Sequence, residues 1–164
     1  MAARAGAARV VLSDYPSEGI LAALRRNVER NVPAGAGARV AVEPHLWGEV
    51  ATAFARQRAG AFTRVLAADT LWLEAQHRSL ARSMAHFLAP GPDARVFVVA
   101  GFHTGRATLA RFFGEVIAEE GLAVDDIFEM DVDGRRRAWD PVAEEEPIGE
   151  RNKWLVVARL KKTS

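Results

Sequence analysis

Short apolar runs recur along the chain, and each of them begins at an arginine. Four of these runs are rich in β-branched residues and are continuous rather than alternating with polar residues, which predicts strands covered on both faces of a sheet. They are Arg9-Val10-Val11-Leu12, Arg39-Val40-Ala41-Val42, Arg64-Val65-Leu66-Ala67 and Arg95-Val96-Phe97-Val98-Val99.

The segments between the apolar runs carry hydrophobic residues at helical spacing. Helices are predicted over residues 17–31, over residues 74–88 and in the segment that follows Thr104. An alternation of strands and helices is typical of an α/β fold, in which a mostly parallel sheet is connected by right-handed crossovers. We therefore expect an α/β domain.

The last part of the chain breaks this alternation. Residues 124–130 and 154–160 are both strand-like, and the stretch between them is polar, with arginines at 135–137 and glutamates at 144–146. Two strands that are joined without a helix are expected to pair antiparallel, so the sheet should end in a hairpin with a long charged loop. A mostly parallel α/β sheet with a C-terminal antiparallel hairpin resembles the outline of the seven-stranded S-adenosylmethionine-dependent methyltransferases.

Composition narrows the possible classes of function. The chain has 164 residues, about half of them apolar, and a formal net charge of +1, which favours neither nucleic acid nor an anionic membrane as a partner. No cysteine is present, and the four histidines are scattered without metal-ligand spacing, so we expect no metal site. The lack of cysteine suits a reducing compartment, and we expect a cytoplasmic protein.

Acids and tryptophans follow three of the predicted strands. Asp14, Trp47, Asp69 and Trp72 all come where a strand should end, and ligand crevices of α/β sheets lie beyond the carboxyl ends of the strands. An acid there can accept hydrogen bonds from ribose hydroxyls, and an indole can lie on an adenine ring. Each of these residues also has a purely structural interpretation. The acids can stabilise a turn or a helix N-terminus, and the tryptophans can cover the sheet.

The order of the motifs strengthens the resemblance. The succession is similar to that of the nicotinamide N-methyltransferase-like group of fungal seven-stranded methyltransferases, which is close to protein-lysine methyltransferases. The motifs are Asp14-Tyr15-Pro16, Leu46-Trp47-Gly48, Ala68-Asp69-Thr70-Leu71-Trp72 and Gly101-Phe102-His103-Thr104-Gly105-Arg106.

The resemblance implies a methyl-transfer site. By family pattern, Asp14, with Tyr15 beside it, holds the ribose of S-adenosylmethionine, and Trp47 and Ala68 line the adenosine site. The motif from Asp69 to Trp72 faces the methyl acceptor, and Trp72 stands where tyrosine is commoner. The implied activity is N-methylation of a protein lysine or a small amine.

One family feature is missing from the expected place. The glycine-rich loop after the first strand lies about 20 residues before the ribose acid, but only 13 residues precede Asp14. Residues 2–8 resemble the end of a helix, residues 35–37 stand in a turn, and residues 101–105 lack the glycine spacing. We therefore expect residues 1–164 to form a single, incomplete methyltransferase-like domain that lacks the usual first strand.

In the family order that strand is central, between the strands ending at Asp14 and Asp69. Its absence predicts either that these two strands pair directly or that another segment or chain fills the gap, and exposed central strands offer a route to a homo-oligomer. Two functions stay open: an active N-methyltransferase, or a non-catalytic domain with little or no cofactor binding. A dinucleotide-dependent oxidoreductase is a weaker third hypothesis, because it does not account for the terminal hairpin.

Two histidines have separate interpretations. His77 falls in the apolar stripe of its predicted helix, which indicates a packed histidine below the crevice rather than a base. His103 follows a predicted strand at the crevice side, where it can either touch the acceptor or form a hydrogen bond at the helix entry.

Overall fold

The computed structural model describes residues 2–3, 5–33, 39–143 and 147–163. Within them the strands are β1 (Val10–Asp14), β2 (Val40–Pro44), β3 (Arg64–Ala68), β4 (Arg95–Gly101), β5 (Leu122–Asp131), β6 (Arg136–Ala138) and β7 (Trp154–Lys162). The helices are α1 (Glu18–Asn31), α2 (Ala53–Gln57), α3 (His77–Phe87), α4 (Arg106–Arg111), α5 (Ile117–Glu119) and α6 (Ile148–Arg151). A 3₁₀ turn, Glu74–Gln76, precedes α3, and a π-helical segment, Phe112–Val116, joins α4 to α5.

The strands form two sheets. β1 and β2 make a parallel pair, and the other five strands follow the order β3-β4-β7-β5-β6. β3 and β4 are parallel, whereas β7 is antiparallel to both β4 and β5, so β3, β4 and β5 share one direction. This arrangement confirms the expected α/β fold with an antiparallel strand near its C-terminus.

The two C-terminal strands do pair antiparallel, but β7 lies inside the sheet between β4 and β5. The stretch expected to be a charged loop also contains β6 and α6, so that expectation was incomplete. β6 forms because β5 ends in a tight turn: the Asp131 carboxylate accepts hydrogen bonds from the Asp133 and Arg135 amides, and Gly134 adopts a φ of 80°. The glutamates at 144–146 and the predicted turn at 35–37 lie outside the described residues.

The main core lies between the five-stranded sheet and the helices α3 to α5. Four members of the apolar stripe predicted for the second helix are buried: His77, Leu80, Met84 and Phe87. Leu80 and Met84 belong to the core that includes the sheet. His77 and Phe87 pack against other aromatic rings. Burial of this stripe fixes α3 beneath the carboxyl end of β3, and thereby sets the position of the loop that follows that strand.

β1 and β3 do not pair, so direct pairing, the first of the two predicted alternatives, is wrong. The second alternative, that another segment or chain fills the gap, stays a prediction. Residues 2–3 and 5–8 form turns and bends rather than a strand. The space between β1 and β3, which we call the inter-sheet groove, contains cavities of about 200 and 520 Å³. Leu66 of β3 lines both cavities and is 67% exposed.

An aromatic cluster joins the loop after β2 to α2 and α3. His45, just after β2, packs edge-on against Phe54 of α2 and Phe87 of α3, with ring centroids 6.0 and 4.9 Å away. Aromatic pairs of this kind contribute about 0.5–1.5 kcal/mol each beyond their buried area. The cluster therefore holds the loop after β2 against α2 and α3.

Candidate functional site

The carboxyl ends of β1, β2 and β3 surround a cavity of about 300 Å³, which we call the crevice. β1 contributes Ser13 and Asp14, the loop after β2 contributes His45 and Trp47, and β3 contributes residues 65–68. Thr70 and one face of α3 complete its lining. The structure thus brings Asp14, Trp47 and Ala68 to one cavity, as their positions at strand ends predicted.

Asp14 is the last residue of β1 and is exposed. Its Oδ1 accepts a hydrogen bond of 2.7 Å from the Tyr15 amide, and its carbonyl accepts one of 2.8 Å from the His45 amide. The first bond orients the carboxylate, and the second ties the end of β1 to the loop after β2. The predicted cofactor residue Tyr15 is 57% exposed and is absent from the crevice lining.

Trp47 is positioned by a buried polar network. Its neighbour Gly48 donates its amide to Ser83 Oγ at 2.8 Å, and His45 Nε2 lies 2.8 Å from the same oxygen. Gly48 has a φ of 85°, and a Cβ added there would come within 3.1 Å of Ser83, so a side chain is disfavoured on both grounds. Trp47 packs partly on the core and partly on the crevice.

His45 is only 4% exposed and belongs to this network. Burial lowers the pKa of His45, and so does the nearby His86, while Glu49 acts in the opposite direction. The neutral ring is therefore the favoured form, since a buried charge without a partner is costly. Its Nδ1 is buried and has no hydrogen-bond partner among the described residues.

Thr70 supplies a second unpartnered polar atom. Its Oγ1 is buried and makes no hydrogen bond within the described part of the chain, although Thr70 lines the crevice. Polar atoms that are buried without a partner cost about 1–3 kcal/mol each. Both unpartnered atoms belong to residues that line the crevice, so a polar ligand there could satisfy them.

Asp69 follows β3 and adopts a φ of 54°, which is an uncommon backbone conformation for an aspartate. Its amide donates a hydrogen bond of 2.8 Å to the Val99 carbonyl of β4, which fixes the turn. The carboxylate is 73% exposed, and its Oδ1 lies 3.8 Å from His103 Nε2. The acid predicted to face the acceptor is thus exposed at the carboxyl end of the sheet.

Trp72 is placed differently from the other predicted site residues. It is 58% exposed and does not contribute to the crevice lining. Its neighbour Leu71 is buried, and the Leu71 carbonyl accepts hydrogen bonds from His77 Nε2 at 3.0 Å and from Thr104 Oγ1 at 3.4 Å. The buried His77 is therefore a packed histidine that supports this loop, as predicted.

Sequence reasoning missed His45, Thr70 and Ser83 as residues of the crevice. His45 and Thr70 stand within two residues of the motif positions Trp47 and Asp69, which is a usable signal in retrospect. Ser83 gives no such signal, because only the packing of α3 against the loop after β2 brings its hydroxyl there.

The crevice fits one end of the implied cofactor. An exposed carboxylate, an indole face and two unpartnered polar atoms suit a nucleoside. For the methionine end, the described residues provide no glycine-rich turn between a strand and a helix with the expected spacing. Residues able to coordinate a metal do not cluster in threes anywhere in the described ranges, and none of the described helices is long and apolar enough to cross a membrane.

Known proteins resemble this chain in sequence and in fold. No family model matches the chain. It is 30% identical over 144 residues to the protein N-terminal and lysine N-methyltransferase EFM7 of Yarrowia lipolytica, covering 76% of this chain and 51% of that protein. The chain thus spans about half the length of this curated relative.

Two solved structures are similar along nearly the whole chain. The structure of the glycopeptide N-methyltransferase MtfA, complexed with S-adenosylmethionine, matches with a TM-score of 0.64 at 13% identity. The match covers 99% of this chain and 75% of MtfA. An S-adenosylmethionine-dependent methyltransferase from Methanosarcina mazei has a TM-score of 0.59 at 11% identity, and the match covers 94% of this chain and 82% of that protein. The chain therefore has the Rossmann-like α/β fold of the S-adenosylmethionine-dependent methyltransferases.

Proposed function

We propose that this chain forms part of an S-adenosylmethionine-dependent N-methyltransferase that acts on a protein amine, either a lysine or an N-terminal α-amine, or on a small amine. The observation that carries the proposal is the crevice itself, where Asp14, Trp47 and Thr70 share one cavity beside the exposed Asp69. The similarity to EFM7 supports the reaction class. The motif order supports the nicotinamide N-methyltransferase-like subgroup, and the lack of cysteine supports a cytoplasmic location.

In this proposal the crevice holds the adenosine end of the cofactor. The Asp14 carboxylate keeps Oδ2 available for the ribose hydroxyls, because only Oδ1 receives the Tyr15 amide. Trp47 offers its ring to the adenine, and Ala68 leaves room beside it. Bound S-adenosylmethionine supplies an electrophilic methyl group on its sulfonium. The contribution of the chain is to orient the reactants and to exclude water.

Asp69 and Trp72 act on the acceptor in this proposal. The Asp69 carboxylate attracts an ammonium group to the lip of the crevice, and the exposed indole of Trp72 offers a π-face to the same cation. Both residues belong to the loop after β3, which Val99 and His77 hold in place through backbone and side-chain hydrogen bonds. Acceptors with a positively charged amine are therefore favoured.

Calorimetric titration with S-adenosylhomocysteine tests the cofactor site. The wild-type chain should bind it in the micromolar range, and Asp14→Asn should weaken binding at least about tenfold, as expected for loss of a charge-assisted hydrogen bond. Asp93→Asn is the matched control, because Asp93 is exposed at the opposite end of the sheet, just before β4. Unchanged affinity in Asp14→Asn would contradict the assignment.

A second candidate function is a non-catalytic domain with the same fold. The inter-sheet groove favours it, because no described strand pairs with the facing edges of β1 and β3, and the sheet is open beside the place where the methionine end would bind. Absence of S-adenosylhomocysteine binding by the wild-type chain would support this candidate and reject the enzyme.

The groove also supports a proposal about assembly. Among the described residues, β1 and β3 each have one edge that pairs with no other strand, and these edges with the exposed Leu66 favour a homo-oligomer. Leu66→Lys should then dissociate the oligomer in sedimentation velocity experiments, since a charge would replace an apolar contact. Val132→Lys is the control, because Val132 is 90% exposed and lies in the β5–β6 turn. A monomeric wild-type chain would contradict the assembly.

A further inference from the structure

The three loops that follow β1, β2 and β3 share a pattern of exposed side chains. Each loop carries one large apolar residue and one acid three positions away from it; we call the apolar residues the rim and the acids the rim acids. The rim consists of Tyr15, Leu46 and Trp72, and the rim acids are Glu18, Glu49 and Asp69. Leu46 is 41% exposed, and Tyr15 and Trp72 are more than half exposed. The carboxyl edge thus presents the same pair of groups three times.

The rim stands around the crevice without lining it. Each rim residue lies within two positions of a residue that lines the cavity, yet none of the three belongs to the lining. Tyr15 directly follows Asp14, for example, and Leu46 lies between His45 and Trp47. A ligand that fills the crevice therefore leaves the rim available to a second, larger ligand.

Backbone hydrogen bonds hold the rim in place. The Tyr15 carbonyl accepts a hydrogen bond from the Ser17 amide at 2.7 Å, and the Leu46 carbonyl accepts one from the Glu49 amide at 3.0 Å. The loop after β3 is tied to the Val99 carbonyl of β4. A surface that is ordered in this way loses little conformational freedom when a partner binds.

The rim loops carry negative charge. Residues 14–20, 45–50 and 69–73 contain no lysine or arginine. Glu18 and Glu49 are exposed and form no ion pair with another described residue, whereas Asp69 faces His103 at 3.8 Å. The opposite edge differs, because its strands begin at or just after the arginines at 9, 39, 64 and 95. The rim therefore attracts a cationic partner.

We propose that the rim and the rim acids dock a polypeptide segment of the methyl acceptor in which apolar and basic side chains flank the amine. This inference rests on the proposed methyltransferase function and specifies the kind of sequence that the acceptor carries. Exposed apolar side chains that surround a cleft are typical of protein interaction sites, and tyrosine and tryptophan are enriched among the residues that contribute most to binding. The apolar flanks cover the rim, and the basic flanks lie against the rim acids.

A small amine does not use this surface. It has no side chains with which to cover the rim, so three apolar groups on separate loops stay in contact with water. Removal of apolar surface from water is the main favourable contribution to most protein association. The exposed rim therefore favours a polypeptide acceptor with apolar flanks over a small amine.

Methylation assays with the intact chain and labelled S-adenosylmethionine test the inference on three peptides that have the same amines. Leu-Lys-Leu-Arg amide has apolar and basic flanks, Ser-Lys-Ser-Arg amide lacks the apolar flanks, and Ser-Lys-Ser-Glu amide lacks both. Each has a free amino terminus and one lysine, so either kind of amine can react. KM should rise about tenfold from the first peptide to the second, because two leucine contacts are lost.

From the second peptide to the third, KM should rise by about threefold at low salt, as expected for exposed charge pairs. This second difference should disappear at about 0.5 M salt, where exposed charges are screened. The value of kcat should be the same for all three peptides, because the flanks bind the acceptor and do not take part in methyl transfer.

Leu46→Ser should raise KM for Leu-Lys-Leu-Arg amide by about tenfold and leave KM for Ser-Lys-Ser-Glu amide unchanged. Val132→Ser is the matched control, because Val132 is 90% exposed in the turn between β5 and β6. Leu46 does not line the crevice, so the affinity for S-adenosylhomocysteine should be the same in Leu46→Ser and the wild type. Glu49→Gln should reduce the salt dependence of KM, and Glu29→Gln, in the last turns of α1, should not.

The outcomes separate this inference from the proposed function. Equal KM values for the three peptides, or equal effects of Leu46→Ser and Val132→Ser, would overturn the inference alone. Methylation of n-butylamine with a kcat/KM as high as that of Leu-Lys-Leu-Arg amide would do the same. Absence of S-adenosylhomocysteine binding and of methylation in the wild type would overturn the proposed function and this inference together.

Discussion

Glu129 of β5 is 1% exposed and is the one charged side chain buried to that degree in the described ranges. Its Oε1 accepts a hydrogen bond from Arg106 Nη1 at 2.5 Å, and its Oε2 accepts bonds from Arg137 Nη2 and Nε at 2.6 and 2.8 Å. The Arg106 guanidinium also lies over the rings of Phe102 and Trp139, with Cζ 4.7 and 5.1 Å from their centroids. The carboxylate thus locks α4 to the β5–β6 hairpin.

Glu129→Gln keeps the volume of the side chain but removes its charge. Hydrogen bonds to charged groups contribute about 1.5–3 kcal/mol each, and breaking a buried ion pair costs about 3–5 kcal/mol. Because Arg106 is only 11% exposed, its guanidinium cannot recover this loss from water. We expect the free energy of unfolding to fall by about 3–5 kcal/mol, and Tm to fall by about 2–4 °C for each of these kcal/mol.

Urea denaturation followed by circular dichroism measures this loss. Glu119→Gln is the control, because Glu119 pairs with Arg78 at 3.6 Å while both side chains are more than half exposed. Exposed pairs of this kind contribute about 0–1 kcal/mol. Equal losses in the two variants would show that the buried network does not stabilise the hairpin.

Three further predictions concern the crevice and its support. Thr70→Val removes a buried hydroxyl that has no partner among the described residues, so it should raise the free energy of unfolding by about 1 kcal/mol, measured by denaturation. The same substitution should weaken S-adenosylhomocysteine binding, measured by calorimetry. The folded-state pKa of His45 is lowered, so the neutral ring contributes to the free energy of unfolding. This contribution is fully present above the ordinary histidine pKa and is lost as the pH falls. The free energy of unfolding should therefore drop between pH 7.5 and 5 in the wild type, and drop less in His45→Gln. His77→Phe leaves the Leu71 carbonyl without one donor, and should cost about 1–3 kcal/mol and speed amide hydrogen exchange in residues 69–73.

Most of the secondary structure could be predicted from local patterns. The four arginine-led runs all became strands, and the α3 stripe is buried, because continuous apolar runs and helical spacing reflect local burial. The short β6 was missed, since three residues of charged and small side chains carry no periodic signal. It exists because the turn after Asp131 folds it back onto β5.

The crevice could be predicted only in part. Strand ends predicted that Asp14, Trp47 and Ala68 come together, and all three line the crevice, because parallel strands expose their carboxyl ends at one edge. The same reasoning did not separate Tyr15 and Trp72, which follow strand ends but do not line the cavity, from the residues that do. The direction in which a loop side chain points depends on the hydrogen bonds that hold the loop backbone, such as those that the Leu71 carbonyl accepts.

The sequence by itself determined the order of the elements, the strand ends and the candidate acids, because these depend on neighbours within a few residues. The tertiary structure alone decided which edges pair, which stay open as the inter-sheet groove, and which distant side chains meet. His45 reaches Ser83 across 38 positions, and Asp69 faces His103 because β3 and β4 lie side by side. Such contacts depend on packing, and no local pattern encodes them.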